Sequence, residues 1–481
     1  MTITIFGVLV GLIGGYILLR ASTLAMMLFV MLATLMGGSA AFQLATGSSV
    51  LPSIEAVLLL AIRCVMPSHR PQGSIRAALG ANLPLVFFAL YGMIGAIILP
   101  FIFSGALNVA PLRPVPTPDP FATVPLAFTP QNLTSAGYLL TTMLGAIGAY
   151  LAVQSAGAPR KVARVVAIIG LTHAMLGFLG ILAAGTAFAE IFDFFRNALY
   201  NQVKQDVGGF ARMNGIMAEP SSFAGYGVIY FAFNMELWLR GIDRRMTGAA
   251  AMLLLAALLV STSSTAYVGI AGYALILALR QLFAPSTISL SKLIIVAAGL
   301  LTALATLLSL ALAQPESFRF IEKVYQSMVV NKAESESALV RLMWARQGIE
   351  AFWVSGGLGV GVGSFRSSSL GTAILGSMGI VGIATYALHM FRVLKPLRRS
   401  TFVPTGDVRT DVGAAAGWAV IAMSIPAFVA APSPDPGLNW GLLSGIALGL
   451  RALPVAVGAQ TLTRAREFRR RPFVHEAETG Q

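Results

Sequence analysis

The stretch RMNGIMAEPSSFAGYG, residues 212–227, places a guanidinium, a carboxylate and a proline immediately before an apolar run. Arg212 offers a planar fork of donors that matches phosphate oxygens and stays charged at any relevant pH. Glu219 is of a type that removes a proton from an attacking hydroxyl. Pro220 suits the first turn of a helix and disfavours helical geometry in the residue before it, so it fixes Glu219 just outside a helix N-terminus. Each residue also has a plain structural role: the carboxylate can complement a helix dipole, and the arginine can anchor the chain at a lipid interface. A second stretch, ESALVRLMWARQGIEAFW, is helical in pattern and carries Arg341, Trp344 and Arg346. Arg346 has Glu350 four residues on as a partner, whereas Arg341 has no acid three or four residues away and keeps its charge for a ligand.

The run that follows, SGGLGVGVGSFRSSS, is too rich in glycine to remain helical and ends on Arg366. It is weak as a nucleotide loop, having no preceding strand and no Walker lysine. Close approach of the backbone to a ligand, or simple flexibility, accounts for its glycines. Cys64 is the sole cysteine, and the histidines, His69, His173, His389 and His475, fall on separate segments. An internal disulfide is therefore excluded, and neither a metal site nor any cofactor is expected.

These residues must be held by membrane helices. The chain is 56% hydrophobic and 11% charged, and its apolar residues recur in blocks long enough to cross a bilayer. The expected architecture is all-α, a single polytopic domain over 1–481 with about thirteen transmembrane helices. The expected spans are 3–19, 23–45, 49–65, 81–103, 133–155, 165–187, 223–239, 248–261, 266–279, 293–313, 370–391, 412–430 and 438–455. Alternate connections, together with Arg451, hold 23 of the 33 lysines and arginines, which assigns that side to the cytoplasm and puts the N-terminus outside and the C-terminus inside. The same distribution accounts for the net charge of +14 without nucleic acid as a partner. Three outward connections are long: a proline-rich loop at 104–132, read as a cover or spacer; a loop at 190–222 with an amphipathic segment and the Arg/Glu motif; and a large loop at 314–369. A basic tail occupies 456–481. The two blocks flanking STSSTAYVG are short, about fourteen residues or 21 Å of helix, which implies burial in the bundle or a thinned, water-lined outer region.

Taken in order, RMNGIMAEPSSFAGYG, STSSTAYVGI, RLMWARQGIEAF, GLGVGVGSF and LGSMGIVGIATYAL resemble the motifs of the O-antigen ligase and Wzy polymerase superfamily over roughly residues 197–390. The resemblance implies a GT-C-type, inverting, metal-independent glycosyltransferase acting on undecaprenyl-diphosphate-linked glycans. It implies a multi-pass protein of the bacterial inner membrane with its active site on the periplasmic side. Arg212 and Arg341 then match the arginines that bind the donor diphosphate, with Arg346, Arg366 and Trp344 as further candidate substrate contacts. Ligases of the superfamily carry a catalytic histidine at a position that falls here at about Ser368, and no histidine lies between His173 and His389. This departure, with the EPSSFA motif, shifts the expectation to an exopolysaccharide Wzy-type polymerase with Glu219 as catalytic base. Its partners would be lipid-linked donor and acceptor glycans, the bilayer, and a flippase and chain-length or export proteins. A ligase-like transferase is the alternative. A polytopic transporter is less favoured, because the spans are nearly free of charge apart from Glu55 and Arg451 and show no repeat.

Overall fold

The computed structural model describes residues 2–44, 48–66, 73–112, 119–199, 206–207, 210–283, 291–292, 294, 298–299 and 336–452. The chain enters with α1 (Ile5–Arg20), α2 (Thr23–Ala33), α3 (Pro52–Val65), α4 (Ile75–Ala81) and α5 (Leu83–Ile102). It continues with α6 (Pro130–Ala152), α7 (Ala158–Ala183), α8 (Ala189–Phe195), α9 (Pro220–Leu239), α10 (Arg244–Val260) and α11 (Ser264–Phe283). After the gap come α12 (Glu336–Val354), α13 (Leu370–Leu394), α14 (Arg399–Phe402), α15 (Val408–Ala430) and α16 (Leu438–Leu450). Local sequence sets the boundaries. Prolines occupy the first turn of α3, α5, α6, α7 and α9, where a missing N–H costs nothing. Ser22 caps α2 by accepting from Ala25 N at 3.2 Å, and Asp407 caps α15 by accepting from Thr410 N at 3.0 Å.

Six of these helices, α5, α6, α7, α11, α13 and α15, are long and apolar enough to cross a membrane, and α1, α2 and α16 are apolar but shorter. The described residues therefore give an all-α protein with six candidate spans instead of the thirteen expected from sequence. Every expected block that falls in the described residues holds a helix, but several miss the length or the apolarity. The second block stops at Ala33, because the chain turns irregular through Gly37 and Gly38, where Gly38 N donates to Ile216 O at 3.1 Å. Helix α9 carries Asn234 and Glu236, and α3 carries Glu55 and Arg63 over 14 residues. Most of the block at 293–313, the loop residues 314–335 and the tail at 456–481 lie outside the described residues. The two blocks read as short are longer than expected: α10 has 17 residues and α11 has 20.

Helix α9 is the axis of the bundle. It packs against α7, α10, α11 and α15, and nearly all of its side chains are buried. An ionic network runs through its second half: Glu236 accepts from Tyr273 Oη at 3.0 Å and from Arg280, Arg240 donates to Asp411 at 3.1 Å, and the Arg280 guanidinium lies 4.4 Å from the Trp418 ring centroid. The sequence assigned Arg280 to a loop and judged the spans almost uncharged; the structure places Arg280 inside α11 and Glu236 inside α9, because charges inside an apolar bundle persist when they pair with one another. Helices α6 and α16 approach most closely, since a Cβ on Gly441 or Gly445 would stand 2.3 Å from Thr142 O or 2.1 Å from Ala146 O.

Short antiparallel ladders tie down the loops. β1 (Thr2–Ile3), β2 (Phe42–Gln43) and β3 (Ser49–Val50) form one sheet with Thr2 opposite Gln43 and Phe42 opposite Val50. β4 (Asn108–Val109) pairs with β5 (Val124–Pro125), folding the proline-rich loop back on itself. That loop is thus more than a spacer: Leu107, Val109 and Leu126 form a small core with Ala351, Val360 and Phe365. β6 (Asp206–Val207) pairs with β7 (Phe210–Ala211). Of the amphipathic segment expected in the second loop, residues 192–206, the first four residues are helical at the end of α8, where Phe194 and Phe195 pack on Phe6 at ring distances of 5.1 and 5.4 Å, and residues 200–205 lie outside the described residues.

Candidate active site

The segment from Arg212 to Glu219 crosses the bundle before α9 begins. Gly215 takes φ 52, and a Cβ there would stand 3.3 to 3.4 Å from the backbone of Leu176 and Gly177. Glu219 holds the N-cap position of α9 in extended geometry, and Pro220 follows as the first helical residue, as the sequence indicates. Its carboxylate caps no backbone N–H. Oε1 instead accepts from the Ser221 hydroxyl and, at 3.5 Å, from Ser222 Oγ. Arg212 reaches across to the turn before α11 and donates from Nη2 to Thr262 O at 3.2 Å.

The opposite wall is built by α12 and the glycine-rich crossing that follows it. Gly359 has φ 87, and a Cβ there would lie 2.4 Å from the backbone carbon of Ser377; at Gly363, with φ 87, it would lie 2.6 Å from Gln131 O. At these glycines the run makes a close approach to the backbone of α13 and α6. The crossing delivers Arg366 beside α12, where its guanidinium lies 4.4 Å from the Trp344 ring centroid. Arg366 N donates to Ala110 O at 2.8 Å, and Ala110 N donates to Gln347 Oε1 at 3.0 Å, so the proline-rich loop is bolted to both elements. Ser368 Oγ donates to the Arg341 carbonyl at 2.5 Å.

Together these elements enclose a cleft of about 860 Å³ whose lining includes Arg212, Glu219, Arg341, Trp344 and Arg366. Five of the six residues singled out in the sequence thus meet in one place. Arg346 does not. It is exposed, and five positions along α12 from Arg341 turn it about 140° away on a helix of 3.6 residues per turn. Nor does it pair with Glu350 within 4.0 Å among the described ion pairs. Asp119, Ser221, Ser263, Ser264, Thr265, Glu336, Ser337 and Ser367 also line the cleft. Of these the sequence signalled only the Ser/Thr-rich turn; Asp119 lay in a loop read as a cover, and its Oδ1 accepts from Phe121 N at 2.8 Å.

The cleft lining sets three arginines, Arg212, Arg341 and Arg366, beside three carboxylates, Asp119, Glu219 and Glu336. Burial draws the Arg212 guanidinium below the ordinary arginine range, with Glu219 and Tyr267 opposing that shift and Arg341 adding to it. Burial likewise lowers Arg366, opposed by Glu219 and reinforced by Arg341. Arginine side chains stay charged, and because Arg341 repels both Arg212 and Arg366 an anion placed among them relieves that repulsion. Helices α9 and α11 also direct N-terminal residues to the cleft, adding the positive ends of their dipoles. Arg366 Nε and Trp344 Nε1 are buried and have no hydrogen-bond partner among the described residues. Among the described residues no group of three or more histidine, cysteine, aspartate or glutamate side chains is arranged to hold a metal ion.

A second, largely apolar groove of about 420 Å³ shares Ser264, Thr265, Ser337, Arg341, Ser368 and Ala430 with the cleft. It runs between α11, α12 and α15, past Leu342, Phe428 and Val429, which are 48%, 44% and 55% exposed. Charged cleft and apolar groove are therefore one continuous surface. No family model matches the chain, and no curated protein or solved structure matches it either.

Proposed function

We propose that the protein is an inverting polymerase of undecaprenyl-diphosphate-linked oligosaccharide repeat units. On this reading it is a GT-C-type enzyme that acts on the periplasmic side of the bacterial inner membrane and works beside a flippase and chain-length or export proteins. The observation that carries the reading is the continuity of a three-arginine cleft with an apolar groove between candidate spans. An amphiphile with an anionic head and a long hydrocarbon tail fits both parts at once, whereas a soluble sugar nucleotide uses only one.

The residues then take distinct parts. An acceptor hydroxyl oxygen attacks the anomeric carbon of the growing glycan from the face opposite the diphosphate. The carbon to diphosphate-oxygen bond breaks with inversion, and its electron pair leaves on undecaprenyl diphosphate. The hydroxyl proton passes to the Glu219 carboxylate, whose hydrogen bonds to Ser221 and Ser222 hold it in place. Arg212, Arg341 and Arg366 offset the charge that grows on the departing diphosphate, and Trp344 backs Arg366.

A ligase-like transfer to another acceptor is the second reading. Ser368, near the position at which ligases carry histidine, is fixed to the Arg341 backbone and is no base at neutral pH, which favours polymerisation. Deleting the gene tests the choice: single lipid-linked repeat units should accumulate while their synthesis and flipping continue. Accumulation of full-length polymer on its lipid carrier would point to a ligase.

A further inference from the structure

At the other end of α9, 20 residues from Pro220 and so about 30 Å away along a helix, lies a second charged cleft. It has a volume of about 620 Å³ and is lined by Arg160, Lys161 and Arg164 of α7, Arg240 at the end of α9, Arg244 of α10, and Asp411 of α15. Asp243 is the other carboxylate in its wall. Asp411 is already satisfied: it accepts from Arg240 Nη1 at 3.1 Å and from the backbone N–H groups of Thr405 and Gly406, each at 3.0 Å. Subtracting that ion pair leaves four cationic side chains facing a single carboxylate. Helices α7, α10 and α15 begin here, at Ala158, Arg244 and Val408, so three positive dipole ends border the cleft.

The four remaining cations differ from other basic residues at the same end of the bundle. Arg409 donates to Val153 O, Gln154 and Gly449 O; Arg451 donates to Val393 O and Leu394 O; Arg392 donates to Gly80 O. Those arginines cap helix ends. Arg160, Lys161, Arg164 and Arg244 are exposed and form no ion pair within 4.0 Å among the described residues. Retention of positive charge on one side of a membrane needs basic loops only. It does not need them gathered in one concavity at the ends of candidate spans α7 and α15.

We infer that this cleft binds a phosphate-bearing anion, supplied by an anionic phospholipid headgroup or by free phosphate. Convergent arginines match phosphate oxygens, and basic pockets between membrane helices at headgroup depth are suited to anionic lipid. The site is separate from the proposed active site and does not rest on it.

The test uses the purified full chain in a zwitterionic detergent, titrated with phosphatidylglycerol, phosphatidylcholine or inorganic phosphate and read by native mass spectrometry. Phosphatidylglycerol should bind and phosphatidylcholine should not; displacement by millimolar phosphate identifies the free ion as a sufficient ligand, and resistance to it identifies the lipid. A triple variant, Arg160→Gln, Lys161→Gln and Arg164→Gln, should bind about tenfold more weakly or worse, from three lost surface charges. Arg244→Gln alone should move in the same direction. A control with equal charge loss outside the cleft, Arg20→Gln, Arg76→Gln and Arg399→Gln, should bind as wild type. The inference is overturned if wild type binds neither phosphatidylglycerol nor phosphate, if both cleft variants bind unchanged, or if the control weakens binding as much as the cleft triple.

Discussion

Glu219→Gln separates a catalytic base from a helix cap. Glutamine keeps an oxygen able to accept from Ser221, so the hydrogen bond survives while the charge and the proton-accepting capacity are lost. Because the Glu219 side chain bonds no backbone N–H of α9, its contribution as a helix cap is confined to the dipole interaction, about 0.3 to 1 kcal/mol, beside its charge balance with Arg212 and Arg366. Thermal unfolding should therefore shift little. Loss of a general base costs about 100- to 10,000-fold in turnover, equivalent to roughly 2.7 to 5.4 kcal/mol of barrier. The two expectations differ enough to be told apart in one assay: polymer ladders formed by the purified variant from lipid-linked repeats, with donor affinity measured alongside. The account expects a folded protein with near-normal donor affinity and little or no polymer. Wild-type turnover in Glu219→Gln would refute the assignment and redirect attention to the other cleft carboxylates, Asp119 and Glu336.

Arg212→Lys and Arg341→Lys should each weaken donor binding roughly tenfold to hundredfold, because a lost charge-assisted contact is worth about 1.5 to 3 kcal/mol and lysine cannot reproduce the fork; Arg346→Lys, outside the cleft, is the matched control and should leave affinity unchanged. Gly359→Ala should destabilise by about 2 to 6 kcal/mol through backbone strain and a clash with the Ser377 backbone, seen as a large drop in melting temperature, and an unchanged melt would mean that the crossing is not built as described. Activity should persist in excess chelator, and complete loss restored by one divalent metal would overturn the metal-independent mechanism.

The sequence disclosed the parts of the site better than their assembly. Pro220 marks a helix start by local chemistry alone, and the position of Glu219 at the cap follows from it. Arg341 was separable from Arg346 only by the absence of a nearby acid; the structure draws the same distinction by helical rotation, yet the expected Glu350 partner is not engaged. The convergence of Arg212, Arg341 and Arg366 depends on contacts between distant segments, such as Arg366 N to Ala110 O, which no local pattern reveals. Span counting failed for a related reason. Hydropathy reads a helix as though lipid surrounded it, whereas α9 is enclosed by other helices, where Tyr273 and Arg280 donate to Glu236 Oε1 and the carbonyls of Val166 and Tyr230 accept from Asn234 Nδ2. Arg280 looks like a loop residue in sequence but is buried against Trp418, its charge met by Glu236. The proline-rich loop was legible as irregular backbone; its two-residue ladder and its small core with Ala351 and Phe365 were not.

The most direct test of the central claim is reconstitution of the purified chain into sealed liposomes with one defined, isotopically labelled, undecaprenyl-diphosphate-linked repeat unit. The account predicts a ladder of longer lipid-linked glycans, with inverted configuration at each new linkage, and free undecaprenyl diphosphate released with every addition. Label that stays in single repeat units, whether left in place or moved across the bilayer, would contradict it.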